Sequence, residues 1–159
     1  MTDKKEKMKS AIPKELLAPL GKILANFAVL ESVLDFQIGV LTVGGQDGKQ
    51  RVGQIITAEL SFQAKVGLLS SLYQHELPNK TPFEDLKKIR KKLRIANEKR
   101  NSLVHSTWSA EGNRIAITAK EKHGIKFEFE KMSAKQIEDM ADFISEVANE
   151  VMRIFRKKQ

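Results

Sequence analysis

Leu16, Leu20, Ile23, Phe27, Leu30, Leu34, Ile38 and Leu41 follow one another at steps of three or four, and that spacing limits what the chain can fold into. Side chains so placed line one face of an α-helix. The helix they predict opens at Pro13 and runs to about Leu41, where Gly44-Gly-Gln-Asp-Gly48 ends it. A polar connection then leads to a second helix that starts at Ser61 or just before it. Phe62, Val66, Leu69 and Tyr73 share its apolar face, and Pro78-Asn-Lys80 marks the next turn.

Thr81-Pro-Phe-Glu84 is a capping box with proline at the first helical position, which predicts a third helix from there to about His105. Between Trp108 and Glu130 the period falls to two. Ile115 and Ile117, then Ile125, Phe127 and Phe129, alternate with polar residues, and the segments around Gly112 and Gly124 supply turns. Ser133-Ala-Lys-Gln136 is a second capping box, and Ile137, Met140, Ile144, Val147, Val151 and Ile154 carry a last helix nearly to the C-terminus. The expected fold is mainly α: a four-helix bundle over residues 13–159, with a small antiparallel hairpin or three-strand meander inserted at about 108–130. Residues 1–12 read as a disordered basic tail.

At 159 residues and 41% hydrophobic content, the chain is long enough for one core. It has no cysteine, which excludes disulfides and thiolate-bound metals. Its first ten residues are charged, and no run reaches the eighteen or so apolar residues of a membrane span. A cytoplasmic protein without membrane attachment is expected. The formal charge of +8 suits an anionic partner.

That charge is concentrated. Between Thr81 and His105 eight cations face three carboxylates, so one helix dominates the field. Lys87, Lys88, Arg90, Lys91, Arg94 and Lys99 are the candidate RNA-binding residues, against the alternative of a solvated helix face. Only Trp108 is an aromatic close by, which argues against sequence-specific reading of unpaired bases.

The third helix ends in Asn97-Glu-Lys-Arg-Asn-Ser-Leu-Val-His105. Arg100, Asn101 and His105 put a planar cation, an amide and a side chain that titrates near neutrality within one and a half turns, a set suited to phosphodiester chemistry. Seven arginines and three histidines would give an Arg four to six residues before a His roughly 0.4 times by chance, so spacing alone says little. Context says more. Leu86, Ile89, Leu93, Ala96, Arg100 and Leu103 form the apolar stripe of this helix, and a cation on that stripe must meet an anion or lose its hydration at a cost.

Glu31, one turn beyond Phe27 at the edge of the first apolar stripe, is either the carboxylate partner of Arg100 or an i, i+4 neighbour of solvent-facing groups, and Lys65 could add charge to the same cleft or snorkel to solvent. Positions 100 and 105 lie about 140° apart around a helix axis. Their convergence requires either a loosened helix end at Val104–His105 or a second copy of the motif across a two-fold axis.

Other chemistries lack residues. His75, His105 and His123 fall in unrelated places and no metal-binding pair accompanies them, so no metal or other cofactor is expected. Ser102 and His105 have no acid or oxyanion hole to complete a triad. The Gly44–Lys49 stretch follows a helix rather than a strand and lacks phosphate-loop spacing.

Arg100-Asn101 followed by Ser-Leu-Val-His105, at the end of an amphipathic helix, resembles the signature of the HEPN superfamily of RNA-processing domains. That signature is an arginine, a polar residue directly after it, and a histidine after four to six intervening residues; here four intervene and the polar residue is Asn101. The resemblance extends to the helical layout over most of 13–158. It implies a metal-independent endoribonuclease acting as a homodimer, as a toxin held by an antitoxin or other regulatory protein, or in phage defence, with Arg100, Asn101 and His105 as its catalytic residues. Members without activity serve as helical modules that bind RNA, nucleotides or proteins, and that is the alternative for this chain.

Overall fold

The computed structural model describes residues 12–43, 51–76, 83–109, 113–120 and 124–156. Five helices and three strands occupy them: α1 (Lys14–Val43), α2 (Arg51–Thr57), α3 (Phe62–Glu76), α4 (Phe83–Val104), β1 (Thr107–Trp108), β2 (Asn113–Lys120), β3 (Gly124–Lys131) and α5 (Ala134–Arg156). Of the expected basic tail, residues 1–11 lie outside the described residues, as do the stop at 44–48, the turn at 78–80, the first two residues of the Thr81–Glu84 box, and residues 111–112 and 122–123 of the two expected strand turns; Ile12 packs against the core.

The mainly helical bundle with a small antiparallel sheet before the last helix is what the periodicity predicts. α1 is its axis and packs against the other four helices, most extensively against α5. Ile23, Leu30, Leu34 and Ile38 of α1 meet Ile137, Ile144, Val147 and Val151 of α5 in a core where all eight are at most 1% exposed. Burying each such side chain stabilises the fold by about 2 kcal/mol. α1 is long and apolar enough to cross a membrane by composition, with a mean hydropathy of 1.5 in its most apolar window. In this fold its apolar stripe is covered by the helices around it.

The helix starts follow their caps. Ser61 accepts a bond from Ala64 N through its hydroxyl at 3.2 Å and one from Lys65 N through its carbonyl at 2.9 Å, opening α3. At α5 the capping box closes in both directions: Ser133 N donates to Gln136 Oε1 at 2.8 Å and Gln136 N to Ser133 Oγ at 3.2 Å.

A fifth helix is the main departure. α2 occupies part of the stretch expected to be a polar connection, lying directly on α1. Gly53 permits that approach: a methyl group there would stand 2.3 Å from the Asp35 carbonyl oxygen and 2.7 Å from Gly39 Cα. Seven residues show too little of a helical period to be recognised in sequence.

The sheet runs β1-β2-β3, antiparallel throughout, with Trp108 opposite Arg114 and Ile115 opposite Phe129. Gly124 takes φ of 74°, in the left-handed region, where the second strand of the hairpin begins. The alternation of β3 does not bury an apolar face. Ile125, Phe127 and Phe129 are 64%, 55% and 68% exposed, while Trp108, on the other face, enters the helical core.

Gly53→Ala should destabilise the protein by about 1–3 kcal/mol, because the added methyl meets backbone that cannot move aside. Gly21→Ala, in a helix interior with nothing within 4 Å of the new methyl, should stabilise it by up to about 1 kcal/mol. Urea denaturation followed by circular dichroism measures both, and equal effects at the two positions would refute the close α1–α2 approach.

Candidate functional site

α4 keeps its backbone ladder to the end of the motif. His105 N donates to Asn101 O at 3.1 Å, and only at Ser106 does the bond shorten its span, to Leu103 O at 3.4 Å. The helix end therefore does not loosen at Val104–His105. Arg100 and His105 leave α4 in different directions, as ideal geometry requires.

Arg100 turns toward α1. Its guanidinium carbon lies 5.2 Å from the centroid of the Phe27 ring, a cation–π contact. Its Nη1 donates to Asn101 Oδ1 at 2.8 Å, and Asn101 Nδ2 donates in turn to Asn97 Oδ1 at 3.3 Å. Arg100 Nε is buried with no hydrogen-bond partner. The carboxylate expected beside it is absent from this arrangement: Glu31 forms no ion pair with Arg100 or with any other described residue. The π face of Phe27, one turn away on α1, takes that place.

Lys65 also departs from its expected role. It is 8% exposed, and its Nζ lies 2.9 Å from Asp35 Oδ1 and 3.0 Å from Oδ2. It neutralises a carboxylate between α1 and α3 and adds no free charge near Arg100.

His105 is exposed, and its ring makes no hydrogen bond to another described residue. It lines a cleft of about 210 Å³ between the end of α4 and the sheet, together with Asn101, Ser102, Ser106, Thr107, Arg114 and Ile115. Arg114 is the functional candidate that sequence reasoning missed. From β2 its Nη1 donates to the Ser102 carbonyl at 3.0 Å, and its Nε donates to Glu130 Oε2 at 3.0 Å. Its side chain is 18% exposed. No short-range motif marks it, because the strand pairing of Trp108 with Arg114 is what brings it back to the helix end.

The basic run divides into two sets. Lys88 pairs with Asp85 at 3.9 Å, Lys92 with Glu150 at 2.5 Å, and Lys99 lies 5.6 Å from the Phe143 ring centroid. Lys87, Arg90, Lys91 and Arg94 instead line a groove of about 280 Å³ between α3 and α4. Among the described residues only Arg94 of these four has a carboxylate partner, Glu98 at 3.4 Å. Trp108 is 8% exposed and offers no free face for a base. Among the described residues no three His, Asp or Glu side chains gather into a metal-binding cluster.

Comparison with protein-family models, with curated proteins and with solved structures gave no match. The reading of the site accordingly rests on its own geometry.

The Arg100–Phe27 contact should be measurable. A double-mutant cycle of Arg100→Met and Phe27→Leu, read by urea denaturation, should give a coupling energy of about 0.5–2 kcal/mol. Additive effects would place the guanidinium elsewhere.

Proposed function

We propose that the protein is a metal-independent endoribonuclease of the HEPN type, cleaving single-stranded RNA by attack of a ribose 2′-hydroxyl on the adjacent phosphorus. The observation that carries this reading is the His105 cleft. It holds an exposed imidazole free of structural hydrogen bonds, beside the Asn101 amide and the Arg114 guanidinium. A histidine so placed has both ring nitrogens available for proton transfer.

In the proposed reaction the 2′-hydroxyl proton passes to imidazole as the 2′-oxygen bonds to phosphorus. The bond from phosphorus to the 5′-oxygen breaks, and that oxygen receives a proton from imidazole. The products are a 2′,3′-cyclic phosphate and a free 5′-hydroxyl. Acid–base work of this kind contributes about 10²–10⁴-fold. Arg100 stabilises the charge that develops on the phosphorane oxygens, Asn101 positions, and the Arg114 guanidinium, paired with Glu130 in the free protein, borders the His105 side of the site.

Because Arg100 leaves α4 away from the His105 cleft, the reading includes a homodimer in which a second chain completes the site across a two-fold axis. A cytoplasmic toxin or phage-defence role, with an antitoxin or regulatory partner, belongs to the same reading through the HEPN resemblance. One observation favours the alternative of a non-catalytic RNA-, nucleotide- or protein-binding module: the Arg100 guanidinium is already engaged by Phe27 and Asn101.

Purified protein should cleave single-stranded RNA in the presence of EDTA, spare DNA, and leave cyclic phosphate ends. His105→Ala and Arg100→Ala should each lower the rate by about 10²-fold or more, and Asn101→Ala by less. End analysis of the products and circular dichroism of the variants separate chemistry from folding. Cleavage of DNA, a requirement for divalent metal, or full activity in His105→Ala would reject the mechanism.

A further inference from the structure

The α3–α4 groove and the His105 cleft lie on one line. Lys87 and His105 are eighteen positions apart, and at 100° per residue that is five full turns, so both leave α4 in the same direction. Arg90, Lys91, Arg94 and Asn101 fall within about 60° of the same line. Ile89, Ala96 and Leu103, all buried, mark the other side of the helix.

The groove is built for an extended anion. Four cations and Leu86 form its α4 wall, and among the described residues no Asp or Glu lines it. Gln63 and Gln74 face them from α3, with amides that can donate or accept, and Gly67 between them leaves open space, since a methyl group there would meet nothing within 4 Å. From position 87 to 94 the cations spread over about 10 Å of helix, too far to serve one phosphate. From Arg94 to His105 is a further distance of about 16 Å along the same face.

We infer that the α3–α4 groove binds the sugar–phosphate backbone of the same RNA strand whose scissile bond sits at His105. This deepens the ribonuclease reading and rests on it for the register of the strand. A stacked strand advances about 3.4 Å per nucleotide, so the groove would engage phosphates roughly five to eight nucleotides from the cleavage point. The substrate is therefore an extended single strand, and a dinucleotide reaches only the cleft. Cations contacting phosphates without reading base edges give affinity with little sequence preference.

The test uses two measurements on full-length protein. The first compares kcat/KM for a dinucleotide and for an unstructured RNA of about twelve nucleotides. The second measures binding of a 2′-O-methyl RNA of the longer length, which has no nucleophile and reports binding apart from chemistry. The wild type should favour the longer substrate by about tenfold or more, and its binding should weaken steeply with salt. In a Lys87→Glu, Arg90→Glu, Lys91→Glu variant the longer RNA should lose that advantage and the 2′-O-methyl RNA should bind about tenfold or more weakly, with the slope of log affinity against log salt reduced by about 2. Gly67→Leu, which fills the groove without changing charge, should weaken binding of the same RNA.

Unchanged RNA affinity and length dependence in both variants would overturn the inference. Equal competition by poly-glutamate, at matched charge and salt, would also overturn it and assign the groove to an acidic protein partner. If the wild type cleaves no RNA while the 2′-O-methyl strand binds and the variants weaken it, the groove stands as an RNA site and the ribonuclease reading alone fails.

Discussion

Burial of Leu86, Ile89, Leu93 and Leu103 fixes the rotation of α4 about its own axis, and with it the direction of every other side chain on that helix. Each of these residues contributes about 2 kcal/mol when fully covered. Turning α4 by about 140° to aim Arg100 where His105 points would expose the whole stripe, at a cost on the order of 8 kcal/mol. A charge-assisted hydrogen bond to a phosphate contributes about 1.5–3 kcal/mol. The stripe wins, so the proposed catalytic arrangement would have to be assembled around a helix that does not turn. Arg114 is carried back to the helix end by β2, and in the proposed reading a second chain would supply the rest.

The same constraint sorts the charges. Lys92 and Lys99 point toward α5, where Glu150 and the Phe143 ring receive them. Lys87, Arg90, Lys91 and Arg94 point along the α3 side, where, among the described residues, only Arg94 has a carboxylate beside it, Glu98. An excess of positive charge spread along a helix is thus divided by packing into cations engaged by α5 and cations that line the α3–α4 groove.

Sequence periodicity was informative wherever a helix had enough turns to repeat its pattern, as in α1, α3, α4 and α5, and wherever a cap was complete, as at Ser133 and Gln136. It missed α2, whose short span is held by a glycine contact to α1 rather than by its own amphipathic face. Alternation in β3 was visible, yet alternation tells which residues share a face and not whether anything covers it; Ile125, Phe127 and Phe129 face outward. The site was legible as far as its local motif. Arg100 was correctly placed on the apolar stripe, but its partner was sought among carboxylates when an aromatic face one turn away, at Phe27, was the group within reach. Arg114 and the pairing of Lys65 with Asp35 arise from contacts between distant segments, which no local pattern encodes.

The resting state of Arg100 bears on how the proposed site would act. Its cation–π contact with Phe27 is worth about 0.5–2 kcal/mol, and its bond to Asn101 about 1 kcal/mol more. Its Nε is already out of water and unpartnered, so much of the desolvation needed to meet a substrate has been incurred in the free protein. A bidentate phosphate would replace one hydrogen bond to a neutral amide oxygen by two to an ionised acceptor, and it would satisfy a guanidinium that the bundle leaves incompletely bonded. The exchange favours the anion by a few kcal/mol at most. That is enough to recruit Arg100 when a phosphate arrives, and too little to disturb the core that holds α4 in place.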